Sequence, residues 1–152
     1  MNEQENNKLS EKLKKLLNQL RECASEVYGI LGAGYEEKVY EEAMAIEMRK
    51  RGIGYEYERN IEVLYRGEKV GVQRTDFIVL SEENELIIIE LKAHSPKWMT
   101  EKAIAQLCSY LRTTKVRWGF LVNFRYPQQF TPDFALINQF GLIGKIELGD
   151  EQ

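Results

Sequence analysis

Cysteine and histidine are scarce in this sequence of 152 residues. The two cysteines, Cys23 and Cys108, stand far apart, and His94 is the single histidine. No CxxC or CxxH spacing is present, which argues against a structural zinc site or an iron–sulfur cluster. A lone histidine without a neighbouring nucleophile also fits a Ser–His–Asp or Cys–His arrangement poorly. Any chemistry would therefore depend on carboxylates, lysine and a hard metal ion.

Long apolar runs and a positive net charge are also missing. No apolar run reaches the ~18 residues that a membrane span needs. The first residues, MNEQENNKLSEK, lack the apolar core of a signal peptide, so we expect a cytoplasmic protein that enters no membrane. The formal net charge of −3 argues against a protein that coats nucleic acid, which would usually be basic. This charge does not exclude a nucleic-acid enzyme with a local basic strip.

The length and the hydrophobic pattern predict one α/β domain over residues 1–152, with a disordered tail at 1–8. Helical periods run from Ser10 to about Tyr28, from about Tyr35 to Gly52, and over 99–114. Strand-like patterns cover 55–67, 70–80, 86–93 and 116–124. The segment 134–148 is ambiguous: it fits a short helix or strand, followed by Gly141 and a strand. A strand–helix–strand crossover after a meander implies a mixed central β-sheet flanked by α-helices. The leucine stripe of the first helix fits either the core or a homodimer surface.

The stretch IIIELK at residues 87–92 joins a buried strand to charged side chains. Because side chains alternate along a strand, Glu90 and Lys92 point to the same face, ~7 Å apart. Asp76 in the preceding strand would meet Glu90 if the two strands pair. Two neighbouring carboxylates repel each other unless a cation lies between them, and Mg²⁺ is commonly held by one or two carboxylates. An adjacent lysine would stabilise the charge that develops on a phosphate.

A Glu-x-Lys pair at a strand end more often marks a solvated terminus or a surface ion pair. Asp76 and Glu37 favour the catalytic interpretation, since each is a carboxylate at the edge of an apolar pattern. Glu37 heads a helical stripe that continues through Tyr40, at the spacing of one helix face. These residues predict metal-assisted phosphodiester hydrolysis.

Five spaced motifs resemble the GxxExxY proteins, which are placed in the PD-(D/E)xK nuclease superfamily. They are GYEEKVY (34–40), RTD (74–76), IIELKA (88–93), QLCSY (106–110) and GFLVNF (119–124), and the resemblance spans roughly residues 15–125. It implies a restriction-endonuclease-like core in which Asp76, Glu90 and Lys92 match the catalytic Asp and Glu-x-Lys. Glu37 matches the additional helix-borne acid of resolvase-like members, and Gln106 matches a frequent helix glutamine. Thr75 stands where the superfamily often has proline.

Further candidates carry weaker signals. Gln106 and Tyr110 share a helix face, where they would contact phosphate or orient Lys92, or else border the core. Arg74 is a candidate for phosphate binding or for pairing near Asp76, and Tyr40 for support within the site or contact with substrate. A basic lip with an aromatic residue is a further option, although a solvated helix face explains the same pattern. That lip would consist of Lys97, Trp98, Lys102, Arg112, Lys115 and Arg117.

The first interpretation is a nuclease that cleaves DNA with Mg²⁺ or Mn²⁺. Asp76 and Glu90 would hold the ion, with Glu37 directly or through water; Lys92 would help to activate the attacking water. The first alternative is a nuclease-like module that binds nucleic acid or a protein partner without cleaving it. A metal-dependent phosphoesterase acting on small molecules is a further alternative. The sequence does not choose among branched, single-stranded and other DNA.

Overall fold

Helices and strands follow one another in the predicted order along the part of the chain that the structure describes. This is a computed structural model, and it describes residues 9–82, 84–95 and 101–144. The elements are α1 (Glu11–Leu31), α2 (Glu37–Lys50), β1 (Tyr55–Tyr65), β2 (Glu68–Leu80), β3 (Leu86–Lys92), α3 (Glu101–Thr114), β4 (Trp118–Asn123), β5 (Asp133–Asn138) and β6 (Gly141–Gly144). The described part of the ambiguous C-terminal segment thus forms two strands. The predicted tail at 1–8 and the predicted lip residues Lys97 and Trp98 lie outside the described residues.

Helix α1 begins at a side-chain cap and buries its leucine stripe. The Ser10 hydroxyl accepts a hydrogen bond from the Leu13 backbone N–H at 3.1 Å, which satisfies one of the donors that a helix start leaves unpaired. The stripe packs into the core through Leu13, Leu16, Leu17, Leu20, Cys23, Ala24 and Val27. The stripe is therefore core, and the alternative that it forms a dimer surface is wrong. Gly32, with a φ of 77°, follows the helix and starts the turn to α2.

The central sheet has six strands in the order β1-β2-β3-β4-β5-β6 among the residues described. Strands β3 and β4 are parallel and are connected through α3, whereas every other neighbouring pair is antiparallel. A parallel pair needs such a crossover because a tight turn cannot return the chain to the same direction. The predicted mixed sheet is therefore confirmed.

Helices cover both faces of the sheet. One face, which carries Phe77, Ile87 and Ile89, packs against α1 and α2. The opposite face, which carries Ile78 and Ile88, packs against α3. Because β3 lies between these two layers, residues 87–91 are buried, and the strand ends at the half-buried Lys92. The strand end is where polar side chains can reach solvent, and it is where the candidate site lies.

None of the helices in the described ranges is both long enough and apolar enough to cross a membrane.

Candidate active site

Two carboxylates, the half-buried Asp76 and the buried Glu90, lie where strands β2 and β3 separate. Backbone pairing between these strands runs from Leu80 and Leu86 to Phe77 and Ile89. One residue further, the Asp76 N–H donates a hydrogen bond to Glu90 Oε1 at 3.2 Å. At this point the Asp76 N–H no longer donates to a backbone carbonyl of β3 but to the Glu90 side chain, and the site begins here.

The Asp76 side chain makes the reciprocal hydrogen bond, from β2 to the backbone of β3. Its Oδ2 accepts a hydrogen bond from the Leu91 backbone N–H at 2.7 Å, so each strand contributes one carboxylate to the backbone of the other. Such hydrogen bonds fix each side chain against the opposite strand, and they are stronger when the accepting carboxyl group is ionised. The arrangement confirms the predicted pairing of β2 with β3 and holds Asp76 and Glu90 side by side.

Burial sets the protonation of this pair. Glu90 is 5% exposed, and burial followed by the nearby Asp76 charge raises its pKa well above the ordinary value. Burial also raises the pKa of Asp76, against the opposing effects of the Leu91 N–H and the Lys92 charge. Two such neighbours do not both ionise readily in the absence of a cation. The pair therefore attracts either a proton or a positive ion.

Lys92 supplies the nearest positive charge from the same strand. It is half-buried at the exit of β3, and its charge lowers the pKa of both carboxyl groups. Its Nζ donates a hydrogen bond to Gln106 Oε1 on α3 at 3.3 Å. The structure thus brings together four of the predicted site residues: Asp76, Glu90, Lys92 and Gln106.

Glu37 lies on helix α2 and contacts a histidine. It is the first residue of α2, and its Oε2 lies 3.2 Å from Nε2 of His94. Its charge contributes to the raised pKa values of Asp76 and Glu90, so it lies within electrostatic reach of them. Within residues 9–82, 84–95 and 101–144, however, no three His, Cys, Asp or Glu side chains are grouped so as to hold a metal ion. Asp76 and Glu90 therefore form a pair while Glu37 contacts His94, and the part of Glu37 in metal binding, directly or through water, stays a prediction.

The carboxylate pair nevertheless fits a hard divalent cation. Among the residues described, Asp76 Oδ1 and Glu90 Oε2 accept no hydrogen bond, which leaves one acceptor oxygen on each side chain. Mg²⁺ is usually bound by one or two carboxylates, with water and substrate oxygens completing its coordination. A cation there would also offset the mutual repulsion of the two groups.

Tyr40 lies in the core instead of at the site surface. Its ring is 0% exposed and stacks on Phe124, with centroids 4.3 Å apart. Its hydroxyl donates to the Gly32 carbonyl at 2.7 Å and accepts from the Tyr35 N–H at 3.3 Å. A fully buried ring offers no surface to a substrate, so the predicted substrate contact is replaced by a structural one. Tyr40 holds the turn that places Glu37.

Replacing Tyr40 with phenylalanine is expected to lower the free energy of unfolding by about 1–3 kcal/mol, because the Gly32 carbonyl loses its buried donor. Urea unfolding measures the change. Tyr65→Phe is the matched control, since that tyrosine is 63% exposed on the β1–β2 hairpin and should show almost no effect. Equal stability of the wild type and Tyr40→Phe would contradict this role.

The two remaining predicted binding residues differ in exposure and in contacts. Tyr110 on α3 is 6% exposed, and burial, with contributions from the Glu90 and Asp76 charges, raises its pKa to about 12. Its phenol thus stays protonated as a neighbour of the carboxylates. Arg74 is exposed and forms an ion pair with Glu58 instead of with Asp76. A phosphate would have to compete with Glu58 for this guanidinium.

Two residues that the sequence interpretation missed also border the site. Glu41 is partly buried, and this burial, followed by the Asp76 charge, raises its pKa to about 7. It lies one helical turn after Glu37, and this i, i+4 spacing could have indicated a shared face. Asn123 is fully buried: its Oδ1 accepts from the His94 N–H at 2.9 Å and its Nδ2 donates to the His94 carbonyl at 3.0 Å. A polar asparagine at the end of the otherwise apolar strand β4 is the sequence feature that could have identified it.

Comparisons with known proteins place this geometry in a family. Residues 14–133 match a family model described as the PD-(D/E)XK nuclease superfamily, and the match covers every site residue named above. A solved structure titled "Crystal structure of SSO0001" is similar over 67% of the chain at 21% identity, with a TM-score of 0.48. The chain spans about half, 49%, of the length of that structure. The comparison with curated proteins gave no significant match.

Proposed function

The chain belongs to the PD-(D/E)XK nuclease superfamily, and on this premise we propose that it is a Mg²⁺-dependent nuclease that hydrolyses phosphodiester bonds in DNA. The observation that carries this proposal is the pair of Asp76 and Glu90, held by hydrogen bonds to the opposite strands, with Lys92 on the same strand as Glu90. Burying Glu90 and partly burying Asp76 and Lys92 at a strand end costs stability, which a purely structural strand end would avoid by exposing them. Within the superfamily we further propose membership of the GxxExxY proteins, based on Gly34, Glu37 and Tyr40.

Asp76 and Glu90 are the residues that would hold Mg²⁺ or Mn²⁺. When bound there, the ion would polarise the scissile phosphate and lower the pKa of the attacking water. The protein itself contributes the position of the two carboxylates, which their hydrogen bonds to the opposite strands fix in place. Glu37, at the start of α2, would add to the negative potential at the site. Its contact with His94 would hold that side chain at the start of α2.

Lys92 would act directly on the reacting groups. Its ammonium group can donate a hydrogen bond to the attacking water or to a phosphate oxygen, and its charge would stabilise the negative charge that develops there. Gln106 Oε1 accepts a hydrogen bond from Lys92 Nζ and so limits the orientations of the lysine. Gln106 is thus proposed as a positioning residue, and Lys92 as a catalytic one.

A second candidate is a nuclease-like module that binds nucleic acid or a protein without cleaving it. It is favoured by the lack of a three-ligand metal cluster in the described residues and by the net charge of −3. The retained pair of buried carboxylates beside Lys92 favours the nuclease instead, because a binding module has no need for them.

A cleavage assay separates these candidates. The protein is incubated with supercoiled, linear, branched and single-stranded DNA in Mg²⁺ or Mn²⁺, together with the Glu90→Gln variant. Glu26→Gln is the matched control, since it makes the same chemical change on the exposed side of α1. Cleavage by the wild type and the control, but not by Glu90→Gln, supports the nuclease. DNA binding without cleavage of any substrate supports the module.

A further inference from the structure

An open groove lies between the start of α2 and the exit of β3. It is lined by Tyr35, Glu36, Glu37, Ala93, His94 and Tyr126, and its volume is about 490 Å³. This size falls within the ~300–1,000 Å³ typical of ligand pockets. The groove adjoins the candidate active site because Glu37 and His94 form part of its wall and Ala93 follows Lys92 directly.

Two tyrosine rings in this groove remain available for contact. Tyr35 is 47% exposed and Tyr126 is 46% exposed, although tyrosine rings commonly gain stability by burial. Both are anchored through the backbone: the Tyr35 N–H donates to the Tyr40 hydroxyl at 3.3 Å, and the Tyr126 N–H donates to the His94 carbonyl at 3.4 Å. The rings are therefore attached to the same segments that position Glu37 and His94.

The charges around the groove indicate which part of a nucleotide it fits. None of its lining residues in the described part of the chain is lysine or arginine, while Glu36 and Glu37 would repel a phosphate. The neighbouring cavity has the opposite character: it is lined by Lys92, His94, Lys102, Ala103 and Gln106. His94 borders both. An uncharged aromatic ring thus suits the groove, and a phosphate suits the basic cavity beside it.

We propose that the groove binds an unpaired nucleobase of the DNA substrate, stacked on Tyr35 or Tyr126, while the adjoining phosphate lies at Lys92 and Lys102. The proposal rests on the proposed function, and it specifies the substrate as DNA with an unpaired base next to the scissile phosphate. A base within a duplex is already stacked on both faces, so only single-stranded, frayed or branched DNA presents a free base face.

Binding of 2-aminopurine DNA tests this proposal without any cleavage. A single-stranded oligonucleotide that contains this fluorescent base is titrated with protein in EDTA, beside a duplex of the same sequence. The wild type is expected to quench the single-stranded probe and to bind it more tightly than the duplex. Stacking is worth about 1–3 kcal/mol per base, so the double variant Tyr35→Ala/Tyr126→Ala should bind the single strand about 5- to 150-fold more weakly.

Three variants make the result specific. Tyr65→Ala removes an exposed ring from the β1–β2 hairpin and should bind like the wild type. Tyr35→Phe and Tyr126→Phe keep the rings and should also bind normally, and urea unfolding of the double alanine variant separates weaker binding from a folding defect. Unchanged single-strand affinity in the double alanine variant, or a wild type that does not bind single strands, would overturn the proposal.

The nuclease proposal and the groove proposal fail in different ways. Metal-dependent cleavage with no effect of the tyrosine variants on binding would keep the nuclease and reject the groove. Tyrosine-dependent binding of single strands, with no cleavage under any metal, would keep the groove and reject the nuclease.

Discussion

Replacing Lys92 with alanine is expected to reduce the rate of DNA cleavage by about 10²–10⁴-fold, the usual contribution of a positioned proton-transfer or charge-stabilising group. The protein should stay folded because the lysine is half-buried and its hydrogen bond goes to Gln106, which is exposed. Single-turnover cleavage at saturating DNA isolates the chemical step. DNA affinity should change far less than the cleavage rate, since the rest of the basic cavity remains.

Three comparison variants show whether this loss is local. Lys69→Ala removes an exposed lysine from β2 and should cleave at the wild-type rate, because that lysine pairs with Glu62 away from the site. The cleavage rate of Gln106→Ala should lie between the rates of Lys92→Ala and Lys69→Ala. Gln106→Glu should cleave faster than Gln106→Ala because it keeps a hydrogen-bond acceptor for Lys92. Cleavage by Lys92→Ala at the wild-type rate would remove Lys92 from the catalytic group.

Acidification is expected to stabilise the metal-free protein. Burial raises the pKa of both Asp76 and Glu90 in the folded state. At pH values above the ordinary carboxyl pKa of ~4, the folded protein therefore binds more protons than the unfolded chain. The stabilising contribution is thus fully present below that ordinary value and is lost as the pH rises through the raised folded values. Glu41, whose pKa is raised to about 7, acts in the same direction.

Urea unfolding in EDTA from about pH 5 to about pH 8 measures this dependence. The free energy of unfolding should fall with rising pH, and Glu90→Gln should remove part of the fall by taking one ionisable group out of the pair. At about pH 8 this variant should be more stable than the wild type by about 1–3 kcal/mol, the scale of an imperfectly paired buried polar group. Glu26→Gln should follow the wild type at every pH. A wild type that gains stability from pH 5 to pH 8 is the opposite result and would contradict the buried pair.

The sequence predicted the place of the site better than its contacts. The run IIIELK indicated a buried strand that ends in charge, and strand alternation put Asp76 and Glu90 on neighbouring positions, as the structure shows. Alternation cannot show that the side chains bond to the backbone of opposite strands, because this depends on where the two strands separate.

The contacts of α2 were harder to predict because they depend on how the helix sits on the sheet. Periodicity identified the apolar positions of the helix but not the partial burial of Glu41, which lies close to β1, where the Tyr57 hydroxyl donates to it at 3.3 Å. The Glu37–His94 contact likewise joins two elements that are distant in sequence. For Tyr40, the pattern indicated burial without showing that its hydroxyl would bind the Gly32 carbonyl.

A titration with Mn²⁺ alone tests the central claim most directly, namely that Asp76 and Glu90 form a cation site. Electron paramagnetic resonance follows the free ion as protein is added, for the wild type and for Glu90→Gln. We expect saturable Mn²⁺ binding by the wild type and by Glu26→Gln, with a strongly weakened affinity in Glu90→Gln. The same Mn²⁺ binding curve for the wild type and Glu90→Gln, or no binding by either, would contradict the account.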